Sequence, residues 1–183
     1  VCIVTGATKG IGFAICKLLA GHGSTVVLVS RNESDLKTAT EFLRSQKPHR
    51  DHSYYPADVS DATSIQKVIS DAYEKYKRLD VLINNAGLFA EKPFLEESDE
   101  EHMRMFQINY FSAVRAARHA GRIFVQQGSG SAIINIASQA GIVAYPNEAA
   151  YGSSKGALIR LSANLSNELQ QYNIRVHALA PGS

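Results

Sequence analysis

The stretch "VCIVTGATKGIG", residues 1–12, sets a strand-like apolar run directly against three glycines, Gly6, Gly10 and Gly12, with a helical pattern beginning near Ile11. Between a strand and a helix, glycines permit a tight turn and let the backbone and helix N-terminus approach a pyrophosphate. A P-loop would require Lys and Ser or Thr directly after the last glycine, and here Phe13 follows Gly12. The turn therefore reads as a dinucleotide-binding one, against the plainer use of glycine for packing a helix closely on its strand.

The rest of the chain repeats the same alternation. Apolar runs of strand length occur at Val1 to Thr5, Thr25 to Ser30, Tyr54 to Ala57, Val81 to Asn84, Ala132 to Ala137 and Arg175 to Ala180. They are nearly continuous in Val, Ile and Leu, as strands covered on both faces are. Ile11, Ala14, Ile15, Leu18 and Leu19 fall at helical spacing, with Gly21 or Gly23 to end the helix. Asp61 is placed to cap a helix from Ala62 to Lys77, and further helices are expected from about Glu97 to Gln127 and from about Glu148 to Gln171. "GSGS" at 128–131 reads as a loop. Strand, helix, strand in repetition means a parallel sheet with right-handed crossovers, an α/β doubly wound Rossmann fold of strand order 3-2-1-4-5-6.

With 183 residues, 45% hydrophobic and 20% charged at a formal net charge of +2, the chain is one ordinary domain with no basic field for nucleic acid. Cys2 and Cys16 lack metal-type spacing and read as buried thiols of a reducing compartment, so no metal site is expected. The apolar runs fall short of the roughly 20 residues a membrane span needs. No leader peptide precedes the first strand, although the abrupt opening allows for one having been removed, which leaves the cytoplasm or the mitochondrial matrix.

At the end of the second strand an acid accepts hydrogen bonds from a free ribose 2′-hydroxyl, and a cation accommodates a 2′-phosphate. "VSRN" puts Ser30 where the acid would stand, followed by Arg31, and Lys9 brings a second cation from the glycine turn. Two cations without a carboxylate favour NADP(H) over NAD(H), unless both are merely solvated surface charges.

"TGATKGIG", "NNAG" at 84–87, "INYFSAV" around Asn109, "NIASQAG" around Ser138, "YGSSK" at 151–155 and "APG" at 180–182 together resemble the classical short-chain dehydrogenase/reductase family. The likeness spans the chain with its motifs in order. It is most similar to the 3-oxoacyl-acyl-carrier-protein reductases of fatty acid biosynthesis and related carbonyl reductases.

Tyr151 and Lys155, four residues apart, share one helix face. A phenol titrates near about 10, and a fixed cation nearby favours the phenolate, so Lys155 is placed to tune Tyr151. In carbonyl reduction Tyr151 would supply the proton, and Ser138, at the carboxyl end of a strand, would hydrogen-bond the same oxygen. The resemblance further implies that Lys155 binds the nicotinamide ribose and that Asn109 helps hold a proton-returning water chain. It also implies that Asn84, Ala86 and Gly87 lie against the cofactor and that Asp58 contacts the adenine. Thr8, Ile11, Val59, Pro181 and Gly182 join the cofactor set on the same ground. From the residues alone, Asp58 is a turn or cap residue and Asn109 a bridge to backbone.

The pair Tyr73 and Lys77 repeats the four-residue spacing without a serine-bearing strand end, and reads as a core tyrosine and a solvated lysine. His102, His119 and His177 are isolated, with no metal-type spacing or paired acid, and read as surface or satisfied residues. "EESDEE" at 96–101 reads as a helix entry capped by Ser98 or Asp99. Arg115, Arg118 and Arg122 follow a helix face that suits solvent, an acidic acyl-carrier protein or a second subunit equally.

Family members continue for several tens of residues beyond "APGS", adding a seventh strand and the segment that covers the substrate. The resemblance therefore implies a single domain, 1–183, truncated at its C-terminus, that would form a homodimer or homotetramer when complete. The leading expectation is an NADPH-dependent reductase of a 3-oxoacyl thioester or similar small ketone. An alcohol or sugar dehydrogenase using the same residues is the enzymatic alternative. A non-catalytic NADP(H)-sensing module is the alternative of another kind, opposed by the intact Ser138, Tyr151 and Lys155.

Overall fold

The computed structural model describes residues 1–182. Six parallel strands, β1 (Cys2–Thr5), β2 (Val26–Ser30), β3 (Ser53–Pro56), β4 (Val81–Asn84), β5 (Ser131–Ile136) and β6 (Ile174–Leu179), form one sheet in the order β3-β2-β1-β4-β5-β6. The order reverses direction between β1 and β4, and the crevice at that switch point is where such sheets bind ligands.

Each strand alternates its side chains between two cores. Ile3, Val27, Val29 and Leu82 face one side with Ile65 and Ile69 of α3 (Ala62–Tyr76), Phe124 of α5 (Ser112–Gln127) and, at the margin, Leu165 of α6 (Ala149–Leu169). Val4, Val26, Leu28 and Ile83 face the other, against Cys16 of α1 (Gly10–Gly21) and Leu36 and Leu43 of α2 (Glu33–Gln46). Strand β6 departs from the expected two-sided burial. Ile174 and Val176 are buried, whereas Arg175, His177 and Leu179 are exposed on a face that no described helix covers.

The helix ends follow local chemistry. Asn32 caps α2 by accepting from the N–H groups of Ser34 and Asp35 at 2.9 and 3.2 Å, and Asp61 caps α3 as expected. Ser98 and Glu101 form a reciprocal capping box at the start of α4 (Asp99–Phe106). The single helix expected from about Glu97 to Gln127 is interrupted. A π-helical turn, Gln107–Phe111, separates α4 from α5, and this extra-residue turn places the Asn109 side chain inside the fold.

Strand boundaries at β3, β5 and β6 lie one residue earlier than the apolar runs suggested, and "GSGS" yields Ser131 to β5. Cys2 and Cys16 are free and buried, and burial pushes the Cys16 thiol up to about 12. Among the described residues there is no cluster suited to a metal ion, and no helix is long and apolar enough to cross a membrane.

Candidate active site

The predicted residues gather along the carboxyl ends of the strands. Gly6 follows β1, Ser30 ends β2, Asp58 and Val59 follow β3, Ala86 and Gly87 follow β4, Ser138 follows β5, and Pro181 and Gly182 follow β6.

Two glycines have a demonstrable steric role in the first turn. Gly6 sits at φ +63, and a Cβ on Gly12 would lie 2.2 Å from the Gly6 carbonyl oxygen and 2.4 Å from the Asn85 amide nitrogen. Asn85 holds that turn closed, its Nδ2 donating to the carbonyls of Thr5 and Gly6 at 3.0 and 3.1 Å. The Thr5 hydroxyl in turn accepts from the N–H groups of Asn85 and Ala86, both at 3.0 Å. Beyond the turn, Gly10 opens α1 with no atom near where its side chain would be. Lys9 precedes it with no side-chain capping bond, so the first N–H groups of α1 stay available for an anion.

Thr5 and Asn85 were not singled out from the sequence, which put its weight on Asn84. Asn84 is the last residue of β4 and is buried, its amide donating to Asn135 at 2.9 Å. Asn135 donates to Ser162 at 2.8 Å, and Ser162 to the Leu158 carbonyl. Asn84 thus ties β4 and β5 to α6 from within. Its side chain does not reach the ligand crevice, and contact there falls to Ala86 and Gly87.

A cavity of about 220 Å³ opens over the turn, lined by Gly6, Thr8 and Lys9 with Ser30, Arg31, Asp58 and Val59 beyond. Ala86 and Gly87 close one side of it. The Asp58 carboxyl is held below its usual range, first by the Ser60 hydroxyl and N–H that donate to it at 2.7 and 2.9 Å and then by the Arg31 charge. No carboxylate stands at the end of β2, where Ser30 and Thr8 face each other with their hydroxyl oxygens 3.5 Å apart. Arg104 of α4 also lines this cavity, a cation that its place in the acidic helix entry concealed.

An adjoining cavity of about 320 Å³ holds Ser138 and Tyr151, with Ile11, Phe89, Tyr145, Glu148, Pro181 and Gly182 around them. The Ser138 oxygen accepts the Ala140 N–H at 3.2 Å, leaving its hydroxyl hydrogen to donate elsewhere. Phe89 packs edge-on to the Tyr151 ring with centroids 4.8 Å apart, fixing its orientation. Lys155 is only 4% exposed, donates to the Ile136 carbonyl at 2.9 Å and lies 5.8 Å from the centre of the Tyr151 ring. Burial lowers its pKa from 10.5 to about 8.

Asn109 supports this arrangement from beneath. Its amide exchanges two hydrogen bonds with the Leu88 backbone, at 2.7 and 2.9 Å, and donates to Ser154 at 3.0 Å. Ser154 donates to the Tyr151 carbonyl. Both Asn109 Oδ1 and Lys155 Nζ sit 3.3–3.4 Å from where a side chain on Gly87 would begin, so the glycine admits all three segments to one point.

The Tyr73–Lys77 pair is elsewhere. Tyr73 packs on the first core, and Lys77 is an exposed left-handed residue ending α3 that pairs with Glu74. Of the histidines, His119 meets the Ser70 hydroxyl at 2.8 Å, while His102 has an acid after all, Glu97 at 3.2 Å.

A glycine turn, an open helix N-terminus and a crevice that runs on to a Ser, Tyr and Lys cluster define the class as a nicotinamide-dependent oxidoreductase of alcohols and carbonyls. The sequence matches the short chain dehydrogenase family over residues 1–183, and the chain belongs to that family. It is 34% identical to an oxidoreductase of Thermotoga maritima, covering 100% of this chain and 70% of that protein. It is also 34% identical to a 3-oxoacyl-acyl-carrier-protein reductase of Chlamydia muridarum, covering 98% and 72%. Among solved structures, an NAD+-bound xylitol dehydrogenase superposes with a TM-score of 0.94 at 33% identity, covering 99% of this chain and 69% of that one.

Proposed function

We propose that the protein transfers hydride between NADP(H) and a small ketone or secondary alcohol, with Tyr151 as proton donor, Ser138 and Lys155 as its partners and Asn109 as a positioning residue. The observation that carries this reading is the convergence of the Ser138 hydroxyl, the Tyr151 phenol and the buried Lys155 ammonium beside the crevice that begins at the glycine turn.

The residues present fit the cofactor. Gly6 and Gly12 leave no room for side chains, as a backbone folded tightly beneath a pyrophosphate requires, and Lys9 and Arg31 line the cavity where a 2′-phosphate would lie. Bound nicotinamide supplies the hydride. The chain's own groups answer the negative charge that then grows on the carbonyl oxygen: Tyr151 gives up its proton and Ser138 donates a hydrogen bond. Lys155 keeps positive charge beside the phenol, and its bond to the Ile136 carbonyl fixes it in place.

Short 3-oxoacyl thioesters are one substrate class, supported by the likeness to the named reductases. Alcohols and sugars are the other. The outer faces of α5 and α6, with Tyr172 just beyond α6, form a cleft in which Val114, Val125, Leu161 and Leu165 lie beside Arg118, Arg122 and Glu168, which supports assembly into a homodimer or homotetramer through those helices.

The test uses the full-length protein with NADPH or NADH and a panel of a short 3-oxoacyl thioester and small ketones, following nicotinamide absorbance. Tyr151→Phe is expected to lower kcat by about 100-fold or more with cofactor affinity retained. Undiminished turnover in that variant would sink the mechanism, and tight cofactor binding with no turnover on any carbonyl would support a sensor instead.

A further inference from the structure

We infer that Glu148 recognises a hydroxyl group of the substrate, one or two carbons from the reacting carbon, so that the pocket selects hydroxyketones and the corresponding diols. The inference rests on the roles proposed above for Ser138, Tyr151 and Lys155. Glu148 stands immediately before α6, three residues from Tyr151, and both line the same cavity. It is the single charged residue among those lining the Ser138–Tyr151 cavity, whose other walls include Ile11, Phe89, Tyr145 and Pro181.

Its carboxylate has no donor. Oε2 is cut off from solvent without a hydrogen-bond partner, Oε1 remains accessible and also unpartnered, and no Lys, Arg or His forms an ion pair with Glu148 among the described residues. The most accessible donors, the free N–H groups at the start of α6, are also unused, since Glu148 makes no side-chain capping bond. A buried carboxylate oxygen without a donor is costly and is rarely left so. Within the crevice a substrate hydroxyl can reach Oε1 alone, and by donating there it gives this half-buried carboxylate the donor that the protein does not.

A carbonyl oxygen cannot serve, because it only accepts, and a carboxylate or phosphate would be repelled. A hydroxyl fits. In a 3-oxoacyl thioester the carbons next to the reacting carbonyl carry no donor, so Glu148 turns the substrate reading away from thioesters and toward hydroxyl-bearing ketones. The reaction balances simply: one hydride from the nicotinamide and one proton from Tyr151 convert the ketone to a secondary alcohol, and the hydroxyl at Glu148 is unchanged.

The experiment compares butanone with 3-hydroxy-2-butanone and 4-hydroxy-2-butanone, using the full-length protein and whichever of NADPH or NADH it oxidises. Wild type, Glu148→Gln and Glu148→Leu are assayed, with a short 3-oxoacyl thioester as a further substrate. A site that bonds a substrate hydroxyl disfavours the analogue lacking it. Through a charged acceptor, wild-type kcat/KM for a hydroxyketone is expected to exceed that for butanone by about 100-fold. That ratio should fall at least tenfold in Glu148→Leu, and less in the isosteric Glu148→Gln, which keeps an acceptor oxygen. A wild-type ratio near one, with butanone or the thioester turned over freely, overturns the hydroxyl inference and leaves the reductase reading standing. A ratio that survives in Glu148→Leu overturns it as well. No nicotinamide oxidation with any of these carbonyls overturns both.

Discussion

Replacing Lys155 with methionine should strengthen the fold at neutral pH relative to alkaline pH while removing activity. Lys155 is buried beside the crevice, and its ammonium donates to the Ile136 carbonyl at 2.9 Å. Its pKa falls from 10.5 to about 8 because burial penalises the charged form. At about 1.4 kcal/mol per pH unit, that drop corresponds to about 3 kcal/mol of destabilisation at pH 7. The sign follows from proton counting. Between pH 8 and 10.5 the unfolded chain holds the Lys155 proton more tightly than the folded one, so the penalty is full below about pH 8 and fades as pH rises through that window. Methionine fills similar volume without charge, at the cost of the Ile136 hydrogen bond, about 1–3 kcal/mol. Lys155→Met should therefore match or exceed wild type by up to about 2 kcal/mol at pH 7 and fall below it by about 1–3 kcal/mol at pH 10.5. Urea unfolding followed by circular dichroism, without cofactor, measures both differences, and other titrating groups cancel between variant and wild type. A stability difference that is the same at the two pH values would refute the argument.

Gly12→Ala places a methyl 2.2 Å from the Gly6 carbonyl oxygen, so it should cost about 3 kcal/mol or more and lower the Tm, or displace the turn and abolish cofactor binding. His52 is fully buried, its Nδ1 accepts the Val26 N–H at 3.1 Å, and burial, then the Arg44 charge, lowers its pKa. The unfolded chain thus takes up the His52 proton first. The stability held above about pH 6.5 should be lost as pH falls below it, and His52→Gln should flatten the acid side of the profile measured by urea unfolding. Arg31→Asp puts a carboxylate where β2 now ends without one, and should shift the ratio of dissociation constants toward NADH by at least tenfold. An unmoved ratio would leave Arg31 as a surface charge.

Much of the fold was legible because it rests on local, periodic chemistry. Continuous Val, Ile and Leu runs alternating with amphipathic segments are enough for a parallel sheet, and the cap residues Asp61 and Ser98 mark where helices begin. The exposed half of β6 and the π turn at Gln107–Phe111 were not legible. One depends on which helices cover a face, and the other on a side chain, Asn109, meeting Leu88 and Ser154 from distant parts of the chain.

Sequence by itself determined the glycine turn, the order of the motifs and the Tyr151–Lys155 spacing, since each depends on neighbours along one strand or helix. The resemblance put the weight on Asn84, which links β4 to Asn135 inside the fold, and passed over the adjacent Asn85, which closes the glycine turn. Nor could the sequence show that Lys155 is buried or that the Glu148 carboxylate lacks a donor. Those facts depend on which groups from separate segments come within hydrogen-bond reach and which are cut off from water, and only tertiary packing decides that.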